Sequence, residues 1–166
     1  MAVSTIRRKC KSWCRLPFLA RACLPLIWLA LGVSRLLVLG LPFRRLEPLL
    51  GTRSGPAGWI PLIASSDQTR AELIGLTVRL ASRYTPWKST CFDQAIVARF
   101  LLGLYGIPYA LFFGVRRRPN DKSLKAHAWL SAGPINVVGG DGFGKFTVVN
   151  TLIGGLPELT ARSSSD

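Results

Sequence analysis

The chain has 166 residues, 49% of them hydrophobic, which suffices for one compact domain of about 100–150 residues and an additional segment. This hydrophobic content excludes intrinsic disorder. The 22 Lys and Arg against 8 Asp and Glu give a net charge of +14, which excludes an acidic tail protein. Such a charge favours a polyanion, an acidic peptide or an anionic membrane surface as a partner.

The first third of the chain is both its most basic and its most apolar part. Residues 1–53 contain one acidic residue, Glu47, and the most apolar stretch runs from Leu24 to Phe43. Arg35 interrupts that stretch, and an arginine near the centre of a membrane-spanning helix costs about 2.5–3.5 kcal/mol. Apolar residues recur at spacings of three and four, which predicts packed helices, with a peripheral membrane contact and a membrane span as the alternatives. No nucleic-acid-binding motif is present, and we expect no nucleic-acid partner.

The composition changes near residue 60. Residues 51–61 are rich in Gly and Pro, which is typical of a linker. We therefore divide the chain into a basic, apolar helical region with its linker (residues 1–60) and a second domain (residues 61–166). Within the second domain, a helix is predicted from Ser66 to about Tyr84.

Three of the four cysteines, Cys10, Cys14 and Cys23, lie in the N-terminal third. Two of them have a spacing seen in metal ligands, but no second pair or nearby histidine accompanies them, so we expect no metal site. The spacings form no disulfide framework and nothing marks secretion, which favours reduced thiols in the cytoplasm.

Cys91 is predicted to begin a helix. The sequence Thr90-Cys91-Phe92-Asp93 matches a capping box, and the helix is expected to continue to Tyr105 and to end at Gly106. The unpaired amides and the positive end of the dipole at a helix start favour a thiolate. Two interpretations stay open for this residue, namely a nucleophile and a core cysteine beside a helix cap.

After this helix the hydrophobic pattern changes to a period of two. It predicts strands over residues 109–115, 125–131 and 135–138. On the second strand, His127 and Trp129 share one face, whereas the neighbouring alanines point to the other. An imidazole that faces the start of the Cys91 helix could take the thiol proton, although a lone histidine is more often a core or surface residue.

A third group should accept a hydrogen bond from the distal N–H of the imidazole. A two-residue turn at Gly133-Pro134 places His127 opposite Gly140, immediately before Asp141. A bulge at the neighbouring glycines would direct the Asp141 carboxylate toward the ring. Asp141 is therefore the predicted orienting group, and Asn136, farther along on the same face, is the alternative.

The order of a helix-start cysteine, a histidine in Ala-His-Ala-Trp and an aspartate resembles the transglutaminase-like branch of the papain-type cysteine-enzyme superfamily. More narrowly, the chain is similar to the B-type leader peptidases of lasso-peptide biosynthesis. The resemblance is most specific between residues 70 and 152. The predicted apolar N-terminal helices of the chain also resemble those of that family. It rests on the segments Pro86–Cys91, Tyr105–Pro108, Gly114–Arg116, Ala126–Leu130, Val137–Gly140 and Phe146-Thr147.

The resemblance implies an α+β fold in which the Cys-bearing helix packs on a small antiparallel sheet, after apolar N-terminal helices. It implies that Cys91 attacks a peptide carbonyl, that His127 is the general base and then the acid, and that Asp141 orients the imidazole, with no cofactor. The backbone N–H of Cys91 is a reasonable oxyanion donor. The side chains of Gln94 and Trp129 are the further candidates for oxyanion or substrate binding.

The implied function is removal of the leader from a ribosomally made lasso-peptide precursor. A separate ATP-dependent, asparagine-synthetase-like cyclase would then close the macrolactam. Residues 1–60 are too short and too apolar for the fused recognition domain that some members carry, so we expect a separate leader-recognition protein and poor cleavage without it. Acyl transfer to an amine, as in transglutaminases, would use the same residues. A non-catalytic, membrane-associated binding protein is the third interpretation.

Overall fold

The computed structural model describes residues 18–118, 121–140 and 142–156. Within these residues the chain forms four helices and one five-stranded sheet, an arrangement that confirms the predicted α+β class. The helices are α1 (Phe18–Gly40), α2 (Phe43–Leu50), α3 (Ser65–Ser82) and α4 (Cys91–Leu104). The strands are β1 (Thr52–Arg53), β2 (Tyr109–Arg118), β3 (Asp121–Ala132), β4 (Ile135–Val138) and β5 (Thr147–Gly154).

The sheet is antiparallel, with the strand order β1-β5-β2-β3-β4. Strands β2 and β3 form a long hairpin that extends beyond the lengths predicted from the hydrophobic pattern, whereas β4 has the predicted bounds. Strand β1 pairs with the end of β5, so part of the segment predicted as a linker belongs to the sheet.

The two faces of the sheet have different cores. Leu111, Leu130 and Leu152 belong to the main core, together with buried residues of all four helices. On the opposite face, Phe112 and Trp129 belong to a smaller cluster that the segment between β4 and β5 covers with Phe143 and Phe146. The described helices therefore cover only one face of the sheet.

Helices α1 and α2 contribute buried side chains to the main core. Leu24, Ile27 and Leu31 of α1 are buried there at helical spacing, and so are Leu46 and Leu50 of α2. The division of the chain at residue 60 stays a prediction. Among the described helices, none combines the length and the apolar content needed to cross a bilayer.

Candidate active site

Cys91 is the first residue of α4, as predicted from the capping pattern. The Thr90 hydroxyl accepts a hydrogen bond from the Asp93 backbone N–H at 3.3 Å, and the Asp93 carboxylate accepts one from the Thr90 N–H at 2.7 Å. This capping box fixes the first turn of the helix. The Cys91 side chain is half-buried and forms no disulfide.

The start of α4 is anchored to α1 by two polar contacts. The Asp93 carboxylate is completely buried, and the Arg35 guanidinium lies 3.5 Å from it. The Ser34 hydroxyl donates a hydrogen bond to the Asp93 backbone carbonyl at 3.1 Å. Arg35, which the sequence showed only as an interruption of an apolar stretch, therefore has a structural role beside Cys91.

Cys91 lies on the wall of an open, largely apolar cavity of about 510 Å³. Three phenylalanines, Phe43, Phe92 and Phe113, surround part of it, with ring centroids 5.2–6.0 Å apart. Arg53 and Asn150 form a polar corner, joined by a hydrogen bond of 3.4 Å. A cavity of this size and composition can hold an apolar side chain of a peptide.

His127 lies on β3 directly opposite Gly114 of β2. Its ring packs beside Trp129 and Phe146, with centroid separations of 5.9 and 4.9 Å. The Nε2–H donates a hydrogen bond to the Gly139 carbonyl, with an N···O distance of 2.7 Å. Because a carbonyl can only accept, this bond leaves Nδ1 of the neutral ring as the basic nitrogen.

In this structure the imidazole packs on the side of the sheet away from the helices, beside Trp129 and Phe146, and its role as the base of Cys91 stays a prediction. Ala128 pairs with Phe113 and belongs to the core beneath the helices, and strand alternation therefore turns the neighbouring His127 ring to the opposite face. Residue His127 contributes to the wall of the cavity that Cys91 also lines. No hydrogen bond joins the thiol to the ring in the described part of the chain.

The third group of the predicted triad, Asp141, lies outside the described residues. The predicted two-residue turn is confirmed by the pairing of Ala132 with Ile135. The irregularity in this hairpin lies between Leu130 and Ser131 rather than at the glycines, because β4 ends at Val138. In the described structure the orienting group of the ring is thus the backbone carbonyl of Gly139.

The remaining predicted site residues lie in three different environments. Asn136 pairs with Ser131, but its side chain is exposed and lines a separate groove with Arg79. Gln94 is half-buried, and its amide donates a long hydrogen bond of 3.5 Å to the Ser89 carbonyl. Trp129 is completely buried on the opposite face of the sheet, where it stacks on Phe112 and is not positioned to contact a substrate at Cys91.

Three of the four cysteines, Cys10, Cys14 and Cys23, belong to the N-terminal third of the sequence. Cys10 and Cys14 lie outside the described residues. Among the residues that are described, no three potential metal-ligating side chains form a group.

Comparison with protein families identifies the domain. The family model of the transglutaminase-like superfamily matches residues 36–151, more than two thirds of the chain. The chain belongs to the transglutaminase-like superfamily. Both Cys91 and His127 lie within the match, and the superfamily includes cysteine proteases and acyltransferases. No curated protein and no solved structure matches the chain significantly.

Proposed function

We propose that this transglutaminase-like protein is a cysteine peptidase that removes the leader from a lasso-peptide precursor, with Cys91 as the nucleophile. The observation that carries the proposal is the position of Cys91, at the capped start of a helix and on the wall of an apolar cavity. Backbone amides at a helix start stabilise both a thiolate and a developing oxyanion. The family match supports the proposal, because the transglutaminase-like superfamily includes cysteine proteases and acyltransferases.

The proposed reaction is acyl transfer to water in two steps. The Cys91 thiolate attacks the carbonyl carbon of the scissile bond, and the amine of the core peptide leaves with a proton from the general acid. Water then attacks the thioester and releases the leader with a new carboxylate. Both products together contain one added water.

His127 is the proposed general base and acid, and this role requires a rearrangement of β3. A one-residue shift or bulge in a strand moves its side chains to the other face. Among the described strands, β4 pairs with β3 only from Leu130 to Ala132, so the part of β3 that carries His127 has a strand neighbour on one side. In this proposal the described arrangement is the resting state, in which the Gly139 carbonyl holds the ring on the opposite face from the helices.

A resting state of this kind is compatible with a requirement for partners. The proposed partners are the precursor peptide, a separate leader-recognition protein and the lasso cyclase that consumes the product. Binding of the leader with its recognition protein would supply the free energy for the rearrangement of β3. Asp141 stays the predicted carboxylate partner of the imidazole in the rearranged state.

The test is incubation of the precursor with this protein and its recognition protein, followed by mass spectrometry. We expect a leader and a core fragment from the wild type, no fragments from Cys91→Ala, and at least a roughly hundredfold slower cleavage by His127→Ala. A variant in which Cys10, Cys14 and Cys23 are all serine is the matched control and should cleave normally. Full cleavage by Cys91→Ala would refute the proposed nucleophile, and an amine-linked product formed with loss of ammonia would indicate transglutaminase-type transfer instead.

A further inference from the structure

The outward side of α1 carries no charged or hydroxyl side chain between residues 24 and 40. This stretch contains one hydroxyl and one charged residue, and both point inward. Ser34 contacts the backbone carbonyl of Asp93, and Arg35 contacts its carboxylate. Two leucines one heptad apart, Leu29 and Leu36, are 59% and 70% exposed. A helix packed on a soluble domain normally presents polar residues on this side.

The apolar surface extends from α1 onto two other helices. An apolar groove of about 450 Å³ lies between α1, α2 and α4, which all line it. Leu49 of α2 and Phe100 of α4 line it and are both more than half exposed. Contiguous apolar surface of this kind marks an interaction site, whereas single exposed leucines do not. We call it the α1 face, formed by Leu26, Leu29, Val33, Leu36, Leu37, Leu49 and Phe100.

The charges around the α1 face are positive. Arg44 and Arg45 of α2 are exposed, and Arg45 lies one turn before Leu49 on the same side of the helix. The acidic groups of α2 and α4 are already paired, Glu47 with Arg53 and Asp93 with Arg35. In the sequence, residues 1–17 contain five Lys and Arg and no Asp or Glu.

We propose that the α1 face docks on the surface of an anionic lipid bilayer, with α1 lying in the plane of the interface. Apolar side chains of an interfacial helix enter the boundary between headgroups and acyl chains, while cations beside them bind anionic headgroups. A second copy of this chain is a poorer occupant, because a symmetric interface would bring the same cations of both copies together. Cys91 begins α4 about 13 Å along the helix axis from Phe100, and the cavity at Cys91 and the groove of the α1 face share no lining residue.

The test measures binding of the full chain to vesicles by sedimentation. One vesicle type is phosphatidylcholine alone, and the other contains about a third phosphatidylserine. The face variant is Leu29→Glu with Leu36→Glu. The matched control is Leu62→Glu with Leu124→Glu, which changes two leucines that are also more than half exposed and lie outside the α1 face.

We expect the wild type and the control to bind the anionic vesicles, and the face variant to bind at least about tenfold more weakly. Circular dichroism spectra that match the wild type show that the variants are folded, and Leu29→Gln with Leu36→Gln provides a second face variant without added charge. Equal binding by all variants would overturn the proposal, since adsorption would then need only the basic charge. Failure of the wild type to bind either vesicle would also overturn it, as would a dimer in sedimentation velocity that the face substitutions abolish.

Discussion

The guanidinium of Arg35 in α1 lies 3.5 Å from the carboxylate of Asp93, two residues after Cys91 in α4. The carboxylate is completely buried, whereas the arginine side chain is 26% exposed. A buried charge without a partner is strongly unfavourable, so this arginine allows α4 to keep its capping aspartate inside the core. The ion pair thereby links the apolar N-terminal helix to the start of the helix that carries the proposed nucleophile.

Removal of the arginine is expected to destabilise the protein. Arg35→Ala leaves the buried Asp93 carboxylate with its hydrogen bonds to Thr90 but without a cationic partner, which should lower the free energy of unfolding by about 3 kcal/mol. Urea denaturation measures this change. The control is Arg70→Ala, which breaks an exposed ion pair with Asp67 and should cost less than about 1 kcal/mol. Equal stability of Arg35→Ala and the wild type would show that the pair contributes nothing to the fold.

The capping box should affect both stability and thiol reactivity. Thr90→Ala removes the acceptor of the Asp93 N–H and should cost about 1 kcal/mol, whereas Thr90→Ser keeps the hydroxyl. Because the cap fixes the amides that face a thiolate at position 91, alkylation of Cys91 by iodoacetamide should be slower in Thr90→Ala.

The alkylation is measured in a background in which Cys10, Cys14 and Cys23 are serine, so that only one thiol reacts. Thr69→Ala, at an exposed position in α3, is the control and should change neither quantity. If Thr90→Ala is destabilised but its Cys91 is alkylated at the wild-type rate, the prediction that the cap contributes to thiol reactivity is wrong.

Local patterns predicted the elements of the site, but not the side of the sheet on which they meet. The capping pattern located the start of α4, and alternation correctly placed His127 with Trp129 on one face of β3. Alternation alone does not say which of the two faces meets the helix. The larger ring of Trp129 packs with Phe112 on the opposite face, which leaves Ala128 beneath the helices.

Ion pairs between residues far apart in the chain could not be predicted from the sequence for a similar reason. Arg35 and Asp93 are 58 positions apart, and no local pattern connects a cation in one helix with the cap of another. An arginine within an apolar helix does predict a buried acidic partner in general, because the alternative is an unpaired charge in the core. Which acidic residue is the partner depends on how the helices pack.

The single histidine of the chain makes its protonation directly observable. We expect the neutral form of the His127 ring to be the Nε2–H tautomer, because Nε2 donates a hydrogen bond to the Gly139 carbonyl. In a sample labelled with ¹⁵N-histidine, long-range ¹H–¹⁵N correlation spectra distinguish the two tautomers without any assignment, since one imidazole is present.

The same spectrum tests the proposed rearrangement of β3. Addition of the precursor and the recognition protein to Cys91→Ala should shift both ring nitrogens, because the ring would leave Trp129 and Phe146. The control is the precursor without its leader, which should leave the spectrum unchanged. A ring that keeps its shifts in the full complex would contradict the proposed role of His127 as the base.

Tyr109 provides a prediction about alkaline pH. Its hydroxyl donates a hydrogen bond to the Leu50 carbonyl at 2.9 Å and accepts one from Arg99 at 2.8 Å. Burial raises the pKa of Tyr109 above its usual value of 10.0, and the hydrogen bond and the charge of Arg99 oppose this shift only in part. The folded state therefore retains a proton that the unfolded state releases, so stability should fall as the pH rises above about 10.

Denaturation with urea between about pH 8 and pH 11 measures this effect against Tyr109→Phe. At the lower pH the variant should be less stable by about 1–3 kcal/mol, because the buried Leu50 carbonyl loses its donor. Its loss of stability above about pH 10 should be smaller than that of the wild type, so the two curves converge as the pH rises. Tyr105→Phe, at an exposed position, should keep the wild-type slope, and parallel curves for Tyr109→Phe and the wild type would refute the assigned shift.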